Sequence, residues 1–138
     1  MMFIQNVTFH DVNGCSHKQC DDRAVLIQIV DPAYGFPTPA HAFASVLQLE
    51  FLDEDETCRE SLHEFLITDA QAASIIDFLQ MALQENRDVI VHCHAGLCRS
   101  GAVADVGIMM GFEDTGKIRL PNRLVKHKLM QQLGWTYD

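Results

Sequence analysis

Apolar positions along this chain follow two rhythms, short continuous runs and stripes at helical spacing. Ala24-Val25-Leu26-Ile27-Gln28-Ile29-Val30 is a β-rich run closed by Asp31-Pro32, the pattern of a buried strand. Val89-Ile90-Val91 is a second such run, as expected of an interior parallel strand. Val46 to Phe51 predicts a further strand running directly into the acidic cluster Asp53-Glu54-Asp55-Glu56, and the loose alternation of Met2 to Phe9 predicts an edge strand. Helical spacing is clearest after Thr68. Thr68 and Gln71 stand as a capping box, and Ala72, Ile75, Ile76, Leu79 and Leu83 then recur on one face until Asn86-Arg87-Asp88 stops the helix. Arg99 to Met110 reads as a helix rich in small residues that ends near Gly111. Pro121 opens a last helix at its first position, with Leu124, Val125, Leu129 and Leu133 as its apolar stripe. Asp11 to Asp22 is polar and turn-like, and Tyr34 to Pro39, carrying Gly35, Pro37 and Pro39, reads as a loop.

Alternating strands and helices predict an α/β fold, one domain over residues 1–138, with helices on both sides of a mostly parallel sheet of about four to five strands. Ligands in such sheets lie at the carboxyl ends of the strands. Two polar segments fall there, Asp53 to Glu56 and His92 to Ser100.

Composition narrows the function. Lys and Arg number 10 against 19 Asp and Glu, a net charge of −9, which argues against a nucleic-acid partner. The one basic stretch, Lys117 to Lys128, spreads its charges along a predicted helix as a solvated face does. The longest apolar stretch, Ala102 to Met110, is too short and interrupted to span a bilayer, so no membrane partner is expected. Met1 to Asn13 lacks the basic start and apolar run of a secretory signal, so a cytoplasmic location is expected. Five cysteines, an odd number, spoil a simple disulfide framework and read as reduced thiols, with at least one kept for chemistry.

That chemistry points to the run His92-Cys93-His94-Ala95-Gly96-Leu97-Cys98-Arg99-Ser100, which puts a cysteine just after a buried strand and an arginine where a helix opens. Amides of a tight strand-to-helix loop turn inward and make a concave anion site, reinforced by the helix N-terminus. Gly96 lets the backbone fold close to a ligand. A cysteine at the base of that cup sits in positive potential, which favours its thiolate. Arg99 can grip two phosphate oxygens with its planar fork, as a lysine cannot.

His92, Cys93, Gly96, Arg99 and Ser100 together resemble the protein tyrosine phosphatase superfamily, whose signature is His-Cys, five residues, Arg, then Ser or Thr. More narrowly, the chain looks like the small dual-specificity phosphatases, including compact bacterial and phage-type members. Pro121-Asn122 with Leu129 and Leu133 is similar to the segment that opens their last helix, and Phe51-Leu52-Asp53 resembles their general-acid loop. The similarity runs from about Ala24 to Gly134, and the first twenty residues match nothing in the family. The resemblance implies a single three-layer cysteine-phosphatase domain that needs no cofactor or metal and hydrolyses phosphotyrosine, and also phosphoserine or phosphothreonine, in a protein or peptide substrate. It further implies Cys93 as nucleophile and Arg99 as clamp, with the loop from His94 through Ala95, Gly96, Leu97 and Cys98 holding phosphate. Ser100 assists the sulfur, while His92 and Asn122 support. The acid is Asp53 by match to the family position, with Asp55 the alternative.

Other readings fit the residues less well. A rhodanese-type sulfurtransferase or an arsenate reductase uses a similar thiolate loop, but does not ordinarily carry Arg there with Ser behind it. A non-catalytic phosphopeptide-binding module of this superfamily has typically lost the nucleophile. His10, Cys15, His17 and Cys20 are zinc-ligand types, yet their spacing is not a known knuckle and a polar loop is the better reading. Cys98 and Cys58 are small filler residues, or else thiols that trap an oxidised Cys93. The loop has no lysine, which disfavours a highly anionic substrate. Trp135 and Tyr137 are expected to pack the C-terminal end on the core.

Overall fold

The computed structural model describes residues 2–14, 22–39 and 42–135. Its strands are β1 (Phe3–Val7), β2 (Val25–Val30), β3 (Ser45–Glu50), β4 (Val89–His92) and β5 (Glu113–Asp114). They form one sheet in the order β3-β2-β4-β1-β5, with every neighbouring pair parallel. The helices are α1 (Phe9–Gly14), α2 (Asp69–Gln84), α3 (Arg99–Met110) and α4 (Arg123–Gln132), and a 3-10 segment spans Glu60–Phe65. This is the expected α/β architecture.

Both continuous apolar runs are central strands. All six residues of β2 and all four of β4 are buried, because parallel strands between covered faces present no wet side. The larger core lies on one face of the sheet, where Ile4, Ile27, Ile29 and Val91 meet Ile75, Leu79, Val103, Val106, Val125 and Leu129 of α2, α3 and α4. The second layer is thinner than expected, a small cluster of Val7, Val12, Leu26 and Ile90 under α1. The capping box of α2 is present in both halves: Gln71 N–H donates to Thr68 Oγ1 at 3.1 Å, and Thr68 N–H to Gln71 Oε1 at 2.9 Å.

Four expectations need correction. β1 is not an edge strand, since the two-residue β5, too short to show a pattern, pairs outside it through Phe3 and Ile4. The segment after β1 begins with α1, which Thr8 and Asp11 start by exchanging side-chain-to-amide hydrogen bonds. Pro121 is not the first residue of α4: Asn122 caps that helix, its side-chain oxygen accepting from Val125 N–H at 3.0 Å. The basic stretch is helical only from Arg123, and Arg119, Lys126 and Lys128 are paired with Asp105, Asp114 and Asp69. Cys15, His17, Cys20 and Tyr137 lie outside the described residues, and Trp135 is partly exposed at 37%. No helix among the described residues is long and apolar enough to cross a membrane.

Candidate active site

The site lies at the carboxyl ends of β4, β1 and β2, where the chain from Cys93 to Cys98 turns into α3. Cys93 is 2% exposed, and its Sγ is 3.1 Å from the hydroxyl of buried Ser100. Those two side chains meet because Ser100 stands in the first turn of α3, directly above the strand end. His92, wholly buried, turns its Nδ1 toward the Cys93 carbonyl at 3.4 Å.

The loop's carbonyls are tied outward, one after another. Phe9 N–H donates to His94 O at 3.2 Å, Leu120 N–H to Leu97 O at 3.0 Å and Asn122 N–H to Cys98 O at 3.0 Å. The Asn6 side-chain amide donates to Gly96 O at 2.6 Å. A trans peptide carries its N–H opposite its C=O, so holding these oxygens outward turns the amides of Ala95, Leu97, Cys98 and Arg99 toward the centre of the loop. Among the described residues no group accepts a hydrogen bond from the amides of Ala95, Leu97 or Cys98. Gly96, at φ +72°, permits the turn and lies flat against the end of β1.

Arg99 is 4% exposed and held by one nitrogen: its Nη1 donates to Asp31 Oδ1 at 2.8 Å and to the Phe51 carbonyl at 2.6 Å. Its Nε is buried and meets no acceptor in the described residues. A buried guanidinium nitrogen left unmatched is costly, and it is the natural seat of an oxyanion. Asp31 also lies 3.8 Å from His94 Nε2, and His94 is stacked on Phe9 with Tyr34 edge-on at 4.5 Å.

Asp53 is exposed just past β3, and its Oδ1 accepts from Asn122 Nδ2 at 2.8 Å, while the same nitrogen reaches the Glu54 carbonyl at 3.2 Å. Asn122 therefore ties the acidic loop, the Cys98 carbonyl and the start of α4 together. Burial pushes the Cys98 thiol up, and the charge and hydrogen bond of Asp53, with Cys93 nearby, push it further. Asp53 thus borders the loop. Asp55 turns the other way, toward the Thr57 hydroxyl and amide, which hold its carboxyl below the usual range. The segment that delivers Leu120 and Asn122 to the loop is pinned on α3 by Asp105. Burial works to raise Asp105, but hydrogen bonds from Lys126 and Arg119 outweigh it and keep the carboxyl low.

All the expected residues of the loop come together, and so do Asp53 and Asn122. Sequence reading missed Asn6, Asp31 and the Phe51 carbonyl. Asp31 carries a usable signal, an acid at the carboxyl end of a buried strand, although the pattern by itself marks it only as the end of β2. Among the described residues no group of three His, Cys, Asp or Glu side chains is placed to hold a metal.

Solved structures with this architecture include human DUSP28, at a TM-score of 0.63 and 14% identity over 94% of this chain and 90% of that one. The fold is that of the dual-specificity phosphatases. The human tyrosine phosphatase-like serine/threonine/tyrosine-interacting protein shares this phosphatase fold at 0.61 and 16% identity, covering 95% of this chain and 91% of its own. OH1 from the Orf virus, described as a tyrosine phosphatase with triple substrate specificity, matches at 0.52 and 20% identity over 80% of this chain and 57% of its own. No family model and no curated protein sequence matches the chain.

Proposed function

We propose that this chain is a cysteine-dependent phosphatase that hydrolyses phosphotyrosine, and also phosphoserine or phosphothreonine, monoesters in proteins or peptides. The observation that carries the reading is the Arg99 side chain. It is anchored through Nη1 by Asp31 and Phe51, while its buried Nε meets no acceptor among the described residues and lies beside a loop whose amides face inward. Such a cup suits a phosphate with its oxygens spread toward the amides and guanidinium.

In the proposed reaction the Cys93 thiolate attacks phosphorus in line, forming an S–P bond as the P–O bond to the substrate breaks. Asp53 gives its proton to the departing oxygen. It then takes a proton from water as water attacks the cysteinyl-phosphate, releasing inorganic phosphate and the thiolate. Ser100, 3.1 Å from Sγ, hydrogen-bonds the sulfur as it departs. Asp53 is favoured over Asp55 because it borders Cys98, whereas Thr57 holds Asp55 in its charged form. His92 supports the loop from beneath, and Asn122 holds the acid loop in place.

The test is turnover by the purified protein of p-nitrophenyl phosphate and a phosphotyrosine peptide, with thiosulfate as a sulfurtransferase control. Phosphate release with no thiocyanate supports the reading. Thiocyanate formation, or binding of the phosphopeptide without turnover, would overturn it.

A further inference from the structure

Asn6 stands on β1, in the stretch that matches nothing in the phosphatase resemblance, yet it is a polar side chain only 3% exposed. In register it sits opposite Val91 on the neighbouring strand, just beneath the loop that β4 feeds. Burying an amide without partners costs roughly 1–3 kcal/mol, so its bonds reveal why it is tolerated. Nδ2 donates to Gly96 O at 2.6 Å and to Ile118 O at 3.0 Å. One side chain thereby bolts the phosphate loop to the segment that carries Leu120 onto Leu97.

We infer that Asn6 is a positioning residue for the phosphate cup: by holding the Gly96 carbonyl outward it aims the Leu97 amide at the phosphate. This rests on the proposed phosphatase reading and extends it to a residue on another strand. The other outward carbonyls of the loop, those of His94, Leu97 and Cys98, are held by main-chain amides, which only a proline substitution would remove. The Gly96–Leu97 peptide is held by a side chain. Gly96 is also the residue most free to rotate, having no Cβ and a φ of +72°. Without Asn6 that peptide can turn over, placing an oxygen where the donor stood.

The experiment compares Asn6→Ala and Asn6→Asp with a control, Gln28→Ala. Gln28 is another buried amide, on β2 at the other side of β4, with its Nε2 on the Pro37 carbonyl at 2.9 Å and no hydrogen bond to the loop among the described residues. Competitive inhibition by inorganic phosphate is measured well below each variant's melting temperature, with turnover of p-nitrophenyl phosphate alongside. Both Asn6 variants should bind phosphate at least about tenfold more weakly and lose about 10–100-fold in kcat, somewhat less than the roughly 100–1,000-fold cost of removing an oxyanion donor outright, because the Leu97 amide is misaimed and not deleted. Asn6→Asp should be at least as impaired, because it keeps the shape but faces the Gly96 carbonyl with an acceptor. Gln28→Ala should lose stability and keep its phosphate affinity. If Asn6→Ala and Gln28→Ala shift phosphate affinity alike, Asn6 is only a structural residue and the inference is wrong.

A measurement on the unaltered protein covers variants that do not fold. On titration with inorganic phosphate, the backbone amide resonance of Leu97 should shift together with those of Cys98 and Arg99. Shifts at Cys98 and Arg99 with Leu97 unmoved would overturn the role of Asn6 and leave the phosphatase reading standing. No shift at any of them would overturn both.

Discussion

Replacing Gly96 with alanine asks whether the phosphate loop is seated on β1 as described. A Cβ at Gly96 would lie 2.7 Å from the Val7 carbonyl carbon, 2.8 Å from its oxygen and 2.9 Å from Thr8 N. Carbon contacts are comfortable at about 3.5–4 Å, so the loop must retreat by close to an ångström. The obstacles are main-chain atoms, and Val7 is locked in register opposite His92, so β1 cannot yield instead. Retreat breaks the 2.6 Å bond from Asn6 to Gly96 O. Alanine at a left-handed φ costs about 1–2 kcal/mol, and a buried carbonyl without its partner about 1–3 kcal/mol more, giving roughly 2–5 kcal/mol in all. At about 3–5 °C per kcal/mol for a chain of this size, the melting temperature should fall by roughly 6–25 °C. Turnover of p-nitrophenyl phosphate, measured where the variant is still folded, should drop about a hundredfold, the usual effect of misplacing catalytic groups by an ångström. Circular dichroism melts and steady-state kinetics on the same preparation read both effects. A variant that melts within 2 °C of the parent (about half a kcal/mol) and turns over normally would refute the described contact of the loop with β1.

Cys93→Ser should abolish turnover while phosphate or phosphopeptide still binds, and Arg99→Lys should be severely impaired, because an ammonium cannot replace the fork held by Asp31 and Phe51; near-normal rates in steady-state assays would remove either assignment. Asp53→Asn should slow phosphotyrosine hydrolysis by about a hundredfold, slow a substrate with a strongly acidic leaving group far less, and erase the basic limb of the rate profile. Asp55→Asn should do neither, and an exchange of these behaviours would move the acid to Asp55. Because burial and Asp53 push the Cys98 thiol up, its thiolate forms only at more alkaline pH, so near neutrality iodoacetamide should label Cys93 before Cys98, as peptide mapping would show. Mild peroxide should inactivate the enzyme reversibly through Cys93; peptide mapping that finds Cys93 joined to Cys98 or Cys58 would mark that partner as a resolving thiol, and an oxidised Cys93 with no linked partner would exclude a protective role for both.

The elements that set the fold were legible where burial is one-sided or complete. β2 and β4 are buried along their whole length and so appear as unbroken apolar runs, and α2 declares itself by Thr68, Gln71 and its stripe. On α2 the last buried position is Ala82 instead of Leu83, a shift of one residue that periodicity alone does not resolve. β5 escaped notice because two exposed residues carry no pattern, and that in turn hid the interior position of β1. The loop from Cys93 to Ser100 was legible because its residue types are contiguous. Asn6, Asp31 and Phe51 were not, because each acts across the sheet on a residue at least 48 positions away, through contacts that only the strand order creates.

The account stands or falls on a covalent phosphoryl group at Cys93. With Asp53→Asn turning over p-nitrophenyl phosphate, whose acidic leaving group departs without a proton donor, rapid acid quench should trap the intermediate, since the missing carboxylate no longer activates water in the second step. Mass spectrometry of the digested protein should then find one phosphoryl group on the peptide containing Cys93, absent when Cys93 is replaced by serine. A phosphoryl group on another residue, or turnover that releases phosphate with none ever bound to the protein, would contradict it.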